Sequence, residues 1–490
     1  MKKIKTIALF AIICIISVVF VSCASDAPND SSADNNANPQ DIGEEVHSDA
    51  PEESIQDNLP ESDFGGYTFT LFMRDAEHYN ADFLAEETVG EPINDAVYNR
   101  NKSIEERFNI NIAVELYDMD DWGASALQRI IQAGDDIYDI AMVHAAGAFS
   151  LAQGNFVLDW FENMPYVDFD APWWSDDAIK NLAAFGRLYC VTGDITHLGL
   201  ASTQSFLFNK DLFINLGFNY PYQDVLDGTW TLDKFIELTK SAPADLNGDG
   251  QITPDEDRFG IYIFNEWSYP IAVLYSGGDR VITIGSDGAP ELTVYNPRTV
   301  DIFDKFFDMM NTDGAAYIPG ISHPVAIDDM FRTGRSLFHA GVLSDVIKHR
   351  DMDNEIGIVP HPKYDENVPL YYSLVDAGQN VCVVPLTAGD TERTSIIVEA
   401  LAAEGYKSIM SAFYEISLKT KHARDDESSD MIDFIRAGRL FDYGYYNSSV
   451  AGDLAYAGQR LVTGSNQNFT SFFERNEARV QRNIERLMED

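Results

Sequence analysis

Residues 104–116, IEERFNINIAVEL, change their hydrophobic period midway, and that change decides the fold. Upstream, Ile93, Val97, Ile104 and Phe108 recur at helical spacing. Downstream, Ile110, Ile112, Val114 and Leu116 alternate with Asn111, Ala113 and Glu115, as along a half-buried strand. Working outward, YTFTLFM (Tyr67–Met73) reads as a strand, Leu127, Ile130 and Ile131 mark a second helix, and Tyr138–Val143 reads as a buried strand. The order βαβαβ predicts a parallel sheet with right-handed crossovers. Open sheets of this kind hold ligands beyond the carboxyl ends of their strands, so the loop His144-Ala145-Ala146-Gly147 is expected to border a cleft.

The N-terminus sets the compartment. Lys2, Lys3 and Lys5 precede an acid-free apolar run, Ile7–Val21, which reads as a secretory leader. The run ends Phe20-Val21-Ser22-Cys23, which resembles a lipobox with Phe20 where Leu is usual. An uncleaved signal anchor is the alternative. From Ala24 to Asp63 the chain is rich in Ser, Asn, Asp, Glu, Pro and Ala, lacks aromatics, and cannot bury a core. Such a segment suits a tether behind an acylated cysteine. Cys23 is therefore the expected lipidation site, on the outer face of the cell membrane of a Gram-positive-type cell.

The net charge is −45, and becomes −48 once the three leader lysines are removed. A surface so acidic repels nucleic acid and anionic lipid heads. Beyond Cys14 in the leader and Cys23, only Cys190 and Cys382 remain, in the apolar runs RLYCVT and NVCVVP. They are either buried free thiols or, in this compartment, a disulfide. Two cysteines make no metal framework. The roughly 430 residues beyond the tether exceed one compact core.

ERFNINIAVEL, GDDIYDIAMVHAAGAFSLAQGNFVLDW, FGRLYCVTGD, SFLFNKDLFINLGF and GTWTLDKFIELTKSA follow one another in order, and FRTGRSLFHAG, EIGIVPHPKYDE and QNVCVVPLTAGD come later. Together they resemble the bacterial extracellular solute-binding proteins of family 1, the maltose-binding-protein-like group serving ABC importers. The resemblance runs from about Phe64 into the 440s. It implies an α/β fold: a two-lobe, periplasmic-binding-protein-like clamshell of type II, each lobe a mainly parallel sheet flanked by helices. Residues 1–22 would be leader and 23–63 tether. Lobe 1 would comprise 64–203 and 376–424, and lobe 2 would comprise 204–375 and 425–490. The resemblance further implies a carbohydrate ligand between the lobes, delivery to ABC permease subunits, and a monomer anchored only by lipid.

One motif stands apart from that pattern. DLNGDGQITPDE, Asp245–Glu256, has the spacing of an EF-hand calcium loop. Asp245, Asn247 and Asp249 would supply side-chain oxygen, Gln251 its carbonyl and Glu256 two oxygens, with Gly250 at the sharp turn. Thr231 would cap a preceding helix to about Ser241, but only a single turn fits before the strand-like Phe259–Phe264. No second hand exists, so the expectation is a structural Ca2+ rather than a sensor. A solvated acidic turn is the alternative.

Sugar sites need flat aromatic faces and planar polar groups. Trp267, directly after the strand that follows the calcium loop, is the leading candidate, because the matching family segment places an aromatic against sugar. Trp173, in PWW, is read as ligand contact or as packing; Trp122 carries no usable signal, and Trp230 reads as packing. His144 follows a strand end. Asp345 maps near a family ligand loop, and Asp376 and Gln379 lie where lobe 2 would hand back to lobe 1. Tyr443, with Tyr445 and Tyr446 in FDYGYYN, would stack sugar or pack. GxSxG, HExxH, GxxxxGK[ST] and GxGxxG are all missing, so the chain reads as a binder and not an enzyme. The alternatives are a non-sugar cargo such as a peptide, a sensory lipoprotein uncoupled from transport and, remotely, a surface glycosidase.

Overall fold

A computed structural model describes residues 56–319, 330–349, 351–414 and 426–489. The leader, Cys23 and most of the tether lie outside the described residues. In chain order the principal strands are β1 (Tyr67–Arg74), β2 (Ile110–Tyr117) and β3 (Ile140–His144), then β4 (Gln204–Asn209) and β5 (Phe259–Ile263). They are followed by β6 (Ala316–Tyr317), β7 (Ser336–Val342), β8 (Ile356–Val359) and β9 (Asn380–Val383).

The opening segment takes the elements its periodicity predicts, although of the four alternating residues on β2 only Ile110 is buried and Leu116 is exposed at this sheet edge. The helix Pro92–Phe108 starts with proline in its first turn and buries Val97, Ile104 and Phe108. It stops at Asn109, whose φ of 49° is left-handed, a conformation asparagine tolerates better than most side chains. That reversal feeds directly into β2, which pairs in parallel with β1 from Tyr67↔Ile110 to Arg74↔Tyr117. β3 joins the other edge of β1, also in parallel. β9 then closes the sheet antiparallel to β3, giving the order β9-β3-β1-β2. The β1 residues Phe69, Leu71 and Met73 are fully buried, as befits a central strand with helices on its faces.

The second sheet runs β8-β4-β7-β5-β6. Four of its five strands run in one direction, in keeping with the expected mainly parallel sheet, and β4 alone is reversed. β5 is parallel to β7 and β6, but β4 is antiparallel to both β7 and β8. The reversed strand, β4, is the first that the chain lays down after leaving the first sheet.

Two segments run side by side between the sheets. Thr203 bridges Val375, Asp376 N–H donates to Ser202 O at 3.0 Å, and Leu343 N–H donates to Thr203 O at 2.8 Å. Cys190 and Cys382 are both buried and free, so the disulfide alternative is not realised. Val191 and Cys382 exchange two backbone hydrogen bonds, 3.0 and 2.8 Å, and strand alternation turns the neighbouring Cys190 the other way. No helix among the described residues is long and apolar enough to cross a membrane.

Candidate functional site

Carboxyl ends of strands from both sheets supply the site. Arg74 ends β1 and is buried, its guanidinium 3.3 Å over the Tyr79 ring. It donates to Gly378 O and to Asn380 Oδ1 at 3.2 and 3.0 Å, and Asn380 returns a bond to Tyr79 O at 2.6 Å. This clasp ties the β1 end to the start of β9.

His144 ends β3 and stands opposite Asn380 in the ladder. The expected loop at 144–147 is instead the start of the helix Ala145–Gln153, with His144 as its cap: Nδ1 accepts from Ala146 N–H at 3.0 Å. Burial first, and the Arg74 charge second, push its pKa down to about 4. At neutral pH the ring is therefore uncharged, with its proton on Nε2. Trp122 lies flat against this ring, centroids 5.0 Å apart and planes 10° apart, with its outer side exposed. A Cβ on Gly147 would stand 2.6 Å from Trp122 O, so only glycine lets the helix approach this turn so closely.

The connecting segment forms the floor. Asp376 accepts from Gly378 N–H at 2.7 Å and from Tyr445 OH at 3.0 Å, and burial raises its pKa. Gln379 donates to Tyr446 OH at 2.6 Å and accepts from Thr192 at 3.3 Å. Tyr445 meets Tyr456 edge-on at 5.9 Å, and Tyr456 meets Trp267 edge-on at 5.5 Å. Trp267 stands on the turn after β5, its backbone N–H on Asn265 Oδ1 at 2.8 Å and its indole 44 % exposed. Phe264, beside it in the chain, is equally exposed, and Lys348 lies 5.8 Å from its ring.

His144, Asp376, Gln379 and Trp267 thus belong to one continuous set of contacts. The other three candidates do not join it through their polar groups. Asp345 is buried and accepts from Val342 N–H at 3.0 Å and from Lys348 at 2.7 Å. Despite burial, His339 and Lys348 hold its carboxyl well below the usual range, so its role here is to brace the turn after β7. Tyr443 is buried, edge-on to Phe149 at 5.3 Å, and accepts from Asn447 at 3.2 Å. Trp173 takes its packing alternative: it is 2 % exposed, and its indole N–H is on Glu399 at 3.0 Å. Sequence reasoning missed Trp122, Arg74, Tyr79, Phe264 and Tyr456. Trp122 sits in a polar stretch with no hydrophobic period, and the Arg74–Tyr79 stack depends on a turn that no local pattern encodes.

The Asp245–Glu256 loop is closed by its own hydrogen bonds. Asp245 accepts from Gly248 and Gly250 N–H at 2.6 and 2.7 Å, and Gly250 takes φ 86°, the left-handed turn its position demands. Asn247 donates to Glu256 at 2.6 Å, so the last expected ligand already folds back on the second. Buried Asp257, outside the expected set, accepts from Leu246 and Thr253 N–H, both at 2.7 Å. Among the described residues no group of three or more His, Cys, Asp or Glu side chains converges as an ion site. The segment after the loop is one turn and then β5, as expected from its length.

No protein-family model matches the chain, and no curated protein matches it in sequence. Solved structures do match in fold. A cyclo/maltodextrin-binding protein complexed with maltotetraose aligns with a TM-score of 0.57 at 13 % identity, covering 85 % of this chain and 97 % of that one. An ABC substrate-binding protein from Listeria monocytogenes in complex with cycloalternan aligns at 0.54 and 14 %, covering 86 % and 99 %. UgpB from Mycobacterium tuberculosis in complex with glycerophosphocholine aligns at 0.55 and 15 %, also covering 86 % and 99 %. The fold is that of the ABC solute-binding proteins, and identities this low establish the fold alone.

Proposed function

We propose that the chain is a cell-surface solute-binding lipoprotein that holds a carbohydrate, an oligosaccharide, between two lobes and delivers it to an ABC permease without chemical turnover. The observation that carries this reading is the pairing of two exposed indoles, Trp122 beside β3 and Trp267 after β5, with a floor of hydrogen-bonding groups. An indole left in water on a strand-end turn contributes little to folding. It is the kind of flat face that a pyranose ring covers with its C–H side. Maltotetraose and cycloalternan in the proteins above are ligands of that chemistry. Lipid attachment at Cys23, the location on the outer face of the cell membrane and the monomeric state belong to the same proposal. UgpB shares the fold and holds glycerophosphocholine, so a non-sugar cargo is the second reading.

Calorimetry against an oligosaccharide panel tests it. One member should bind at about micromolar, near −8 kcal/mol. Trp267→Ala should weaken that binding by about 1–3 kcal/mol. Binding confined to peptides or to glycerophosphodiesters sinks the carbohydrate reading, and cleavage of a bound oligosaccharide sinks the binder reading. We also propose one structural Ca2+ at Asp245, Asn247, Asp249, Gln251 and Glu256, displacing the Asn247–Glu256 bond. A chelator should then lower the melting temperature, and Asp249→Ala should abolish that response. The stabilisation is about 2.7 kcal/mol when calcium is a hundredfold above its Kd. Identical melts with and without calcium would leave the loop closed by the hydrogen bonds of Asp245, Asn247 and Asp257 alone.

A further inference from the structure

The last helix, Phe469–Glu489, packs one face on the Pro290–Leu292 strand, the helix Pro297–Met310 and the segment 448–463. Beside that face it presents Arg475, Arg479, Arg482 and Arg486, all exposed. Spacings of four, three and four residues keep the four within roughly 60° of the helix circumference, along about 16 Å. Glu474 and Glu477 fall roughly 80° or more from the nearest of them and Glu485 roughly 60°, while Glu489 lies on the same face one turn beyond Arg486. Arg475 leans back over the Phe472 ring at 5.8 Å, but none of the four has an ion-pair partner among the described residues. Elsewhere Lys102, Arg107, Lys180, Lys407 and Arg460 are exposed and each holds a carboxylate, while Arg129 and Arg187 stand singly without one. A row of four uncompensated cations is out of character for a chain of net charge −45.

We propose that this arginine face docks on the anionic headgroups of the membrane that carries the protein, an inference resting on the proposed acylation of Cys23. Acylation at Cys23 would confine the folded body, to which Asp57 and Leu59 already pack, to the neighbourhood of the bilayer. At that range the acidic remainder is pushed away from an anionic surface. Charges farther than a Debye length, about 8 Å at physiological salt, are screened, so the face in contact decides the interaction. Among the described surfaces this helix offers the row of arginines that can approach such a membrane, and approach there fixes which way the body turns. An acidic surface of the permease would satisfy the same charges, and binding to protein-free vesicles tells the two apart.

The test uses the full mature chain carrying Cys23→Ser, so that acylation adds nothing, with vesicles of 30:70 phosphatidylglycerol:phosphatidylcholine or of phosphatidylcholine alone. Co-sedimentation at low salt should be at least tenfold greater on the anionic vesicles and should vanish in 0.5 M salt. R475Q/R479Q/R482Q/R486Q should abolish the difference, and the pair R479Q/R482Q, a gentler change, should reduce it several-fold with an unchanged melting curve. Equal binding to both vesicle types, or an unaffected quadruple variant, overturns the docking face. Mass spectrometry of the native N-terminus reads the anchor separately, so an unacylated Cys23 counts against that premise while the vesicles decide the face.

Discussion

Two pairs of indoles in this protein have opposite fates. Trp173 and Trp174 are buried, and both donate to the Glu399 carboxylate, at 3.0 and 2.8 Å. Trp122 and Trp267 are both exposed, the first lying flat against a neutral imidazole and the second perpendicular to the Tyr456 ring. Where the indole N–H has a fixed internal acceptor, the ring is part of the scaffold. Trp160 shows that an acceptor is not required for the scaffold role, since it is fully buried with no partner for its indole nitrogen. Burial, not the number of tryptophans or the partner of the nitrogen, separates the rings that build the fold from those left facing solvent.

The strongest way to break this contrast is Trp173→Ala. It removes a buried ring and strands one oxygen of a buried carboxylate, so unfolding free energy should fall by about 3–5 kcal/mol in denaturant titration. A change under about 1 kcal/mol would mean the clamp is not structural.

A second test uses the carboxylate itself. Burial raises the Glu399 pKa from 4.5 to about 7, even though both indoles favour the charged form. The folded state therefore holds the proton more tightly than the unfolded chain. The resulting stability is full below about pH 4.5 and is lost as pH rises through about 7, a swing of roughly 3 kcal/mol at most. Glu399→Gln should flatten that part of the pH profile while leaving one indole N–H unpaired. Retention of the slope in the variant would assign it elsewhere. The smallest effect belongs to the exposed pair: Trp122→Ala should change stability by less than about 0.5 kcal/mol yet weaken oligosaccharide binding by about 1–2 kcal/mol, read by calorimetry on the same preparation.

The first sheet was legible because its strands and helices differ in period. The alternation of Ile110, Ile112, Val114 and Leu116 tells strand from the helix ending at Phe108, and the burial of Phe69, Leu71 and Met73 follows. The mixed direction of the second sheet was not legible, because period-two patterning reads identically in both directions. Trp267, Asp376 and Gln379 could be nominated from their places at a strand end and at a crossing. Trp122 could not, since its stack on His144 exists only once β2 and β3, on either side of β1, bring their carboxyl ends to the same edge of the sheet. Trp173 misled for the converse reason: a polar neighbourhood in sequence, DAPWWSDD, surrounds a buried pair in space.

The twin connection at Ser202–Thr203 and Val375–Asp376 has a mechanical consequence. A single strand between two bodies permits swivel in any direction, whereas two strands laced together favour bending about one line. Under such a bend each group travels in proportion to its lever arm. On the proposed two-lobe reading, Asp376, beside that line, would stay nearly stationary, while Trp267 on the turn after β5 would sweep through an arc. A solute would thus settle first on a fixed bed and feel the aromatic jaw arrive afterwards.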